Sequence, residues 1–242
     1  MNKILVYHHL GLGDHIICHG IIRELYKRCS CLHLFCKQHN VDTVKKMYAD
    51  LANLHIITAD DNIANEYINR SGCIYDEVIK IGFSLNQSES FEKQFYRMVG
   101  VDFNKKWDSF KIPYNYGFVG ISINRLFNYL SLPEKYIFVH DDDRFKINYD
   151  LIKSKKYMVR AQDIPRGRSS VFTQRDVVAN SLTDYIKILT NAQELHVIDS
   201  AFLFLIDCLD YDYSHQKLYI HRYARQNPDW CLPTLRKPWV IL

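Results

Sequence analysis

The sequence predicts an α/β fold of two domains, each an open parallel sheet with helices on its faces. Three observations carry this expectation. Short apolar runs alternate with segments of helical spacing along the chain, the pattern of strands and helices wound in turn. The first run leads directly into a glycine turn, Leu10-Gly11-Leu12-Gly13-Asp14. The alternation then begins again near residue 132, so the 242 residues divide into a domain of residues 1–131 and one of residues 132–242.

Residues 4–7 are apolar, long enough for a buried strand and too short for a helix. Asp14 is read as opening a helix that carries Ile17, Ile21 and Leu25 at helical spacing. Residues 32–35 form the second strand. A helix over 41–51 comes next, with Val41, Val44, Tyr48 and Leu51 on one face, and then a third strand over 54–57. The polar stretch 60–69 reads as a loop with a short helix. Residues 77–81 are a strand ended by Gly82. Ser88 and Ser90 offer caps for a helix bearing Phe91, Phe95, Met98 and Val99, stopped at Gly100. Residues 102–113 read as a connection and 116–130 as a helix.

In the second domain, strand 136–140 runs into Asp141-Asp142-Asp143, with Arg144 next. Strands are expected over 157–160 and 171–173. Ser181 caps a helix with Leu182, Tyr185, Ile186 and Leu189. Strand 195–198, the turn Asp199-Ser200, an apolar helix over 201–209 and a last strand over 218–220 complete the pattern. The tail from residue 227 holds three prolines and two tryptophans.

Composition narrows the class of protein. At 48% apolar and 24% charged residues the chain can bury a large core. The net charge of +4 is mild. Arg160 and Arg166-Gly167-Arg168 lack the regular basic and aromatic spacing of a nucleic-acid groove, so no nucleic-acid partner is expected. No window of 18 apolar residues exists, which excludes a transmembrane helix. Seven cysteines without a pairing pattern or leader point to free thiols and a cytoplasmic setting. Cys29, Cys31 and Cys36 with His33 and His39 are conceivable metal ligands. Their spacing fits buried thiols around a strand better than a zinc motif, so no metal is expected.

Three constellations remain. In Gly11-Leu12-Gly13-Asp14, Ile16 stands where a dinucleotide fingerprint needs its third glycine, and no P-loop pattern occurs anywhere. Asp14 is then either a helix N-cap or a general base in the crevice beyond the strand ends. Asp199-Ser200-Ala201 joins a strand to a helix N-terminus, a place for phosphate or simply a cap. Asp141 to Asp143 suggest a cation site or a solvated acidic turn, and Arg144 and Lys146 beside them suit diphosphate oxygens.

These motifs, in this order, resemble the GT-B glycosyltransferases, most closely the ADP-heptose–lipopolysaccharide heptosyltransferase group, with a weaker likeness to fucosyltransferase-like members. Leu12-Gly13-Asp14 matches that group's L-G-D loop, and Asp199-Ser200-Ala201 matches two of the three positions of its D-[ST]-G turn. The resemblance implies two Rossmann-like domains facing across a cleft. It implies a nucleotide-sugar donor, held by Arg144, Lys146, Asp199, Ser200 and Ala201, and a glycan or other hydroxyl acceptor near Gly11, Gly13 and His15. Asp14 would be the catalytic base of an inverting, metal-independent transfer with no cofactor, the nucleotide sugar being a co-substrate. A non-catalytic nucleotide- or sugar-binding protein on the same fold is the alternative.

Overall fold

Strand β1 (Lys3–His8) lies inside the first sheet, and its sequence shows why: Ile4, Leu5 and Val6 are fully buried. Such an uninterrupted apolar run is what a parallel strand covered on both faces requires. The computed structural model describes residues 2–84, 89–113, 135–141, 144–153, 157–160, 181–225 and 232–242. The expected helix over 116–130, strand over 171–173, Ser88, Asp142, Asp143, Arg166-Gly167-Arg168 and Cys231 lie outside them.

Around β1, strands β2 (Cys31–Cys36), β3 (Leu54–Thr58) and β4 (Glu77–Ile81) pair in parallel, in the order β3-β2-β1-β4. Side chains alternate between faces along each strand. Leu5 and Tyr7 of β1 therefore join Phe35 of β2 in one cluster with Ala59, Ala64 and Tyr75. The helices are α1 (Leu12–Ile17), α2 (His19–Lys27), α3 (Val41–Met47), α4 (Asp61–Ser71), α5 (Phe91–Met98) and α6 (Lys105–Asp108).

Several boundaries differ from the sequence expectation, each for a local reason. The helix begins at Leu12, not Asp14, so both Leu12 and Gly13 are helical. It then divides at Cys18 (φ −76°, ψ −2°), beside Ile17, whose carbonyl accepts the Tyr96 hydroxyl at 2.8 Å. Residues 61–71 are a full helix rather than a loop with a short one. Asp60 caps it by accepting from Ile63 N at 2.9 Å, and Ala64 is its one fully buried residue, so its apolar stripe is faint. The connection 102–113 contains α6, which packs closely on α2. A Cβ on Gly20 would stand 2.1 Å from the Lys105 carbonyl, so only glycine permits that approach. Lys106 of α6 and Glu92 of α5 form a fully buried ion pair at 2.7 Å. Lys106 also donates to the Thr234 carbonyl, and Glu92 accepts from Thr234 N.

Contacts divide the chain into two compact units, the first running to Pro113 and the second taking most of the remaining residues. The second contains β5 (Tyr136–His140), β6 (Tyr157–Arg160), β7 (Glu194–Val197), β8 (Lys217–Ile220) and β9 (Val240–Ile241). All pair in parallel, in the order β6-β5-β7-β8-β9. Its helices are α7 (Ile186–Asn191), entered through a 3₁₀ turn with a Ser181–Asp184 capping box, and α8 (Ala201–Cys208). β9 has no sequence signal, because two residues carry no period. Buried Asp207 of α8 accepts from the backbone N–H groups of Arg236 and Lys237 and from the Trp239 indole. Those bonds dock the tail so that Val240 pairs beside Tyr219. Among the described residues, no helix is long and apolar enough to cross a membrane.

Candidate functional site

Each sheet reverses its winding direction once: the first between β1 and β4, the second between β5 and β7. A crevice forms beyond the strand ends at such a point, because the flanking connections leave to opposite faces. The motifs singled out in the sequence fall at these two places.

At the first switch point, β1 runs through His9 and Leu10 into Gly11, the N-cap of α1. Gly11 has an extended backbone (φ −69°, ψ 148°), so its need is spatial rather than conformational. A Cβ there would lie 2.5 Å from Asp14 Oδ2. The Asp14 carboxylate thus folds back over Gly11. Asp14 is therefore not the N-cap, one of the two roles open to it in the sequence. It sits in the first turn of α1 and is partly exposed, near the positive end of the helix. The loop is braced from beneath by Asn40, whose buried Nδ2 donates to the Leu10 carbonyl at 3.1 Å.

The neighbouring wall follows β4. Gly82 has φ +91°, and His9 Nε2 is 2.9 Å from its carbonyl oxygen. Phe83 is 44% exposed, and its ring lies against Tyr7 and His9, with centroids 4.6 and 4.9 Å away. His15 lies under the loop rather than on it. It is fully buried, its ring edge-on to His8 at 4.4 Å. Neither nitrogen of His15, nor Nε2 of His8, has a partner among the described residues. Burial pushes the His8 imidazole down to about 4 and that of His15 well below its ordinary value, so both stay neutral near pH 7.

At the second switch point, the turn after β7 meets the end of β5. Ser200 Oγ is 3.2 Å from His140 Nδ1, and the Ser200 carbonyl accepts the first bond of α8 from Phe204 N. Ala201 begins that helix. Asp199 is buried, which raises its carboxyl above the usual range, while Arg225 and Arg222 pull the other way. Arg225 donates to the Asp199 carbonyl at 2.6 Å and stacks over the Phe145 ring at 5.2 Å. Arg144 covers the same ring at 5.3 Å. One aromatic ring thus gathers two guanidinium groups beside the Asp199–Ser200 turn, and Lys146 is exposed on the same loop. Of the acidic run, Asp141 is buried and accepts from the Tyr149 hydroxyl at 3.2 Å.

The sequence reading missed Arg225, Phe145 and His140 at this turn and His9 and Phe83 at the other. Arg225 lies 26 residues beyond the turn it braces, so no local motif marks it. Of the thiols expected to be buried around β2, Cys36 is buried, whereas Cys29 and Cys31 are half-buried. Cys36 lies on the opposite face of β2 from Cys31 and His33, so the five cysteines and histidines of that stretch do not converge. The six described cysteines are free thiols.

No protein-family model matches the sequence. No curated protein matches it either. Solved structures do. A glycosyl transferase family 9 protein from Veillonella parvula DSM 2008 superposes with a TM-score of 0.61 at 10% identity, over all of this chain and 86% of that one. The iron-containing dodecameric glycosyltransferase TibC of enterotoxigenic E. coli H10407 gives 0.50 at 12% identity, over 84% of this chain and 55% of that one. The E. coli heptosyltransferase WaaC, with ADP-2-deoxy-2-fluoro heptose, gives 0.49 at 12% identity over 99% of this chain and 92% of that one. At these identities the likeness is one of fold: this chain shares its fold with glycosyltransferases.

Proposed function

We propose that the chain is a glycosyltransferase that moves a sugar from a nucleotide-sugar donor to an acceptor hydroxyl with inversion. The observation that carries this reading is the division of charge between the two switch points. One presents a carboxylate at a glycine turn. The other presents two guanidinium groups at a helix N-terminus. This occurs in a fold shared with a glycosyl transferase family 9 protein.

In this reading the domains, residues 1–131 and 132–242, face each other across a cleft in the GT-B manner. The acceptor, a glycan or other hydroxyl compound, lies by Gly11 and Gly13, while buried His15 supports the loop from beneath. Asp14 removes the hydroxyl proton as the oxygen attacks the anomeric carbon. The bond to the donor diphosphate breaks on the opposite face, and the diphosphate leaves with the electron pair. Arg144 and Arg225, with Lys146, face that developing charge, and the start of α8 at Asp199, Ser200 and Ala201 offers backbone N–H groups to it. Cationic side chains then do the work a divalent ion does elsewhere, so the transfer step uses no metal and no cofactor. We place the reaction in the cytoplasm, where free thiols and nucleotide sugars coexist.

Release of nucleoside diphosphate from a panel of nucleotide sugars tests the proposal. Asp14→Asn is expected to lower turnover at least about 100-fold, the low end of general-base loss. Nucleotide binding should stay intact. Arg225→Ala and Arg144→Ala should instead weaken nucleoside diphosphate binding by about 1.5–3 kcal/mol each, the range for a hydrogen bond to a charged group. Normal turnover in Asp14→Asn would refute the base assignment. Nucleotide binding that depended on Asp14 and not on the arginines would refute the division of labour. Binding without turnover across the whole panel would favour a non-catalytic binding protein.

A further inference from the structure

The first sheet carries a second group of chemistry-bearing side chains, at the strand ends opposite the glycine turn. We propose that Cys31, His33 and His55 bind one divalent cation of the zinc class. The Cys31 thiol and one ring nitrogen of each histidine lie within 4.8 Å of one another. The backbone brings them together. His33 on β2 and His55 on β3 are direct partners in the parallel register, and Cys31, two residues earlier, shares His33's face. A site built on paired strands is held more firmly than one on loops.

One thiolate and two imidazoles suit zinc in chemistry and number, with a fourth position left for water. Zinc bonds of about 2.0–2.3 Å set tetrahedral ligand atoms about 3.3–3.7 Å apart. Closing from the observed spread needs about an ångström of side-chain movement. His55 is exposed and has room to make it, and Cys31 and His33 are half-buried, so a cation can enter. His33 is already oriented: its Nδ1 is 2.7 Å from the Tyr75 hydroxyl, which is 2.8 Å from the Tyr67 hydroxyl. That leaves Nε2 as the ligating atom, the outer-sphere arrangement common to metal-bound histidine. The positive charge that opposes the site, Lys3, rests over the Tyr75 ring at 4.8 Å. A cation here ties edge strand β3 to β2, away from the Asp14 turn, so its role is structural and independent of the transfer reaction.

The test is a Co²⁺ titration of the full-length protein, reduced and freed of metal by a chelator. One equivalent should bring in a thiolate-to-cobalt charge-transfer band and the strong visible bands of four-coordinate cobalt, and Zn²⁺ should displace both. Zn²⁺ alone should raise the melting temperature. Cys31→Ser should abolish the charge-transfer band. His55→Ala, at an exposed position where the fold is not at risk, should weaken Co²⁺ binding at least about tenfold. Cys73→Ser should leave both unchanged. Absence of the band at one equivalent, or its survival in Cys31→Ser or at full affinity in His55→Ala, overturns the site.

Discussion

Substituting Gly11 by alanine separates the proposed catalytic geometry of the glycine turn from its stability. The backbone at Gly11 is in a region open to any residue, so alanine introduces no conformational strain there. By restricting the unfolded chain it contributes up to about 1 kcal/mol of stability. The added Cβ, however, would lie 2.5 Å from Asp14 Oδ2 and 3.7 Å from its carboxyl carbon. An ordinary carbon–oxygen contact needs about 3.3 Å, so the carboxylate must retreat by roughly 0.8 Å. The end of a flexible side chain moves that far at little cost, and the fold should tolerate the change. A catalytic group misplaced by about an ångström loses on the order of 100-fold in rate. Gly11→Ala is thus expected to melt within a few degrees of the parent while nucleoside diphosphate release falls about 10- to 100-fold and nucleotide affinity holds. Thermal denaturation by circular dichroism, coupled-enzyme detection of the released nucleotide and calorimetric titration measure the three quantities. Full activity in a variant whose Asp14 carboxylate has moved would refute Asp14 as the base. A collapse in melting temperature would refute the account of Gly11.

Other consequences arise from buried groups. Lys106→Ala should destabilise the protein by about 3–5 kcal/mol in urea denaturation, because Glu92 keeps its buried carboxylate but loses the ammonium 2.7 Å away. Gly82→Ala should cost about 2 kcal/mol or more, since φ +91° disfavours a side chain and the Cβ would meet Phe95 at 2.7 Å. Stability should also fall on acidification. Burial lowers the imidazoles of His8 and His221 from 6.5 to about 4 and holds those of His15 and His19 well below 6.5. The unfolded chain then takes up protons that the folded one refuses. This contribution is complete above about pH 6.5 and is lost as pH falls toward 4, with His8 alone accounting for a few kcal/mol. Denaturation midpoints unchanged between pH 7 and 4.5 would refute that account.

What the sequence determined by itself was the local part of the fold. Strands β1 and β5 lie within a residue of their apolar runs, because a strand buried on both faces must be apolar along its length. Strands β2, β4 and β8 were legible instead from apolar positions beside His33, Lys80 and Lys217, which leave one face less covered. Gly82 and Gly100 end β4 and α5 as their sequence positions imply, since each has positive φ that other residues resist. The turns at Gly11–Asp14 and Asp199–Ser200 were legible as strand-to-helix junctions, which chain order alone defines. Tertiary structure decided everything that depends on partners distant in sequence. It placed Gly11 rather than Asp14 at the N-cap and divided the first helix beside a carbonyl taken by Tyr96, 79 residues away. It brought Arg225 to Asp199, paired His33 with His55, and made β9 from a tail that Asp207 docks. None of these has a periodic signal. Hydrophobic period reports which face of a segment is buried, whereas a cap, an ion pair or a ligand cluster depends on which two segments the packed sheets bring together.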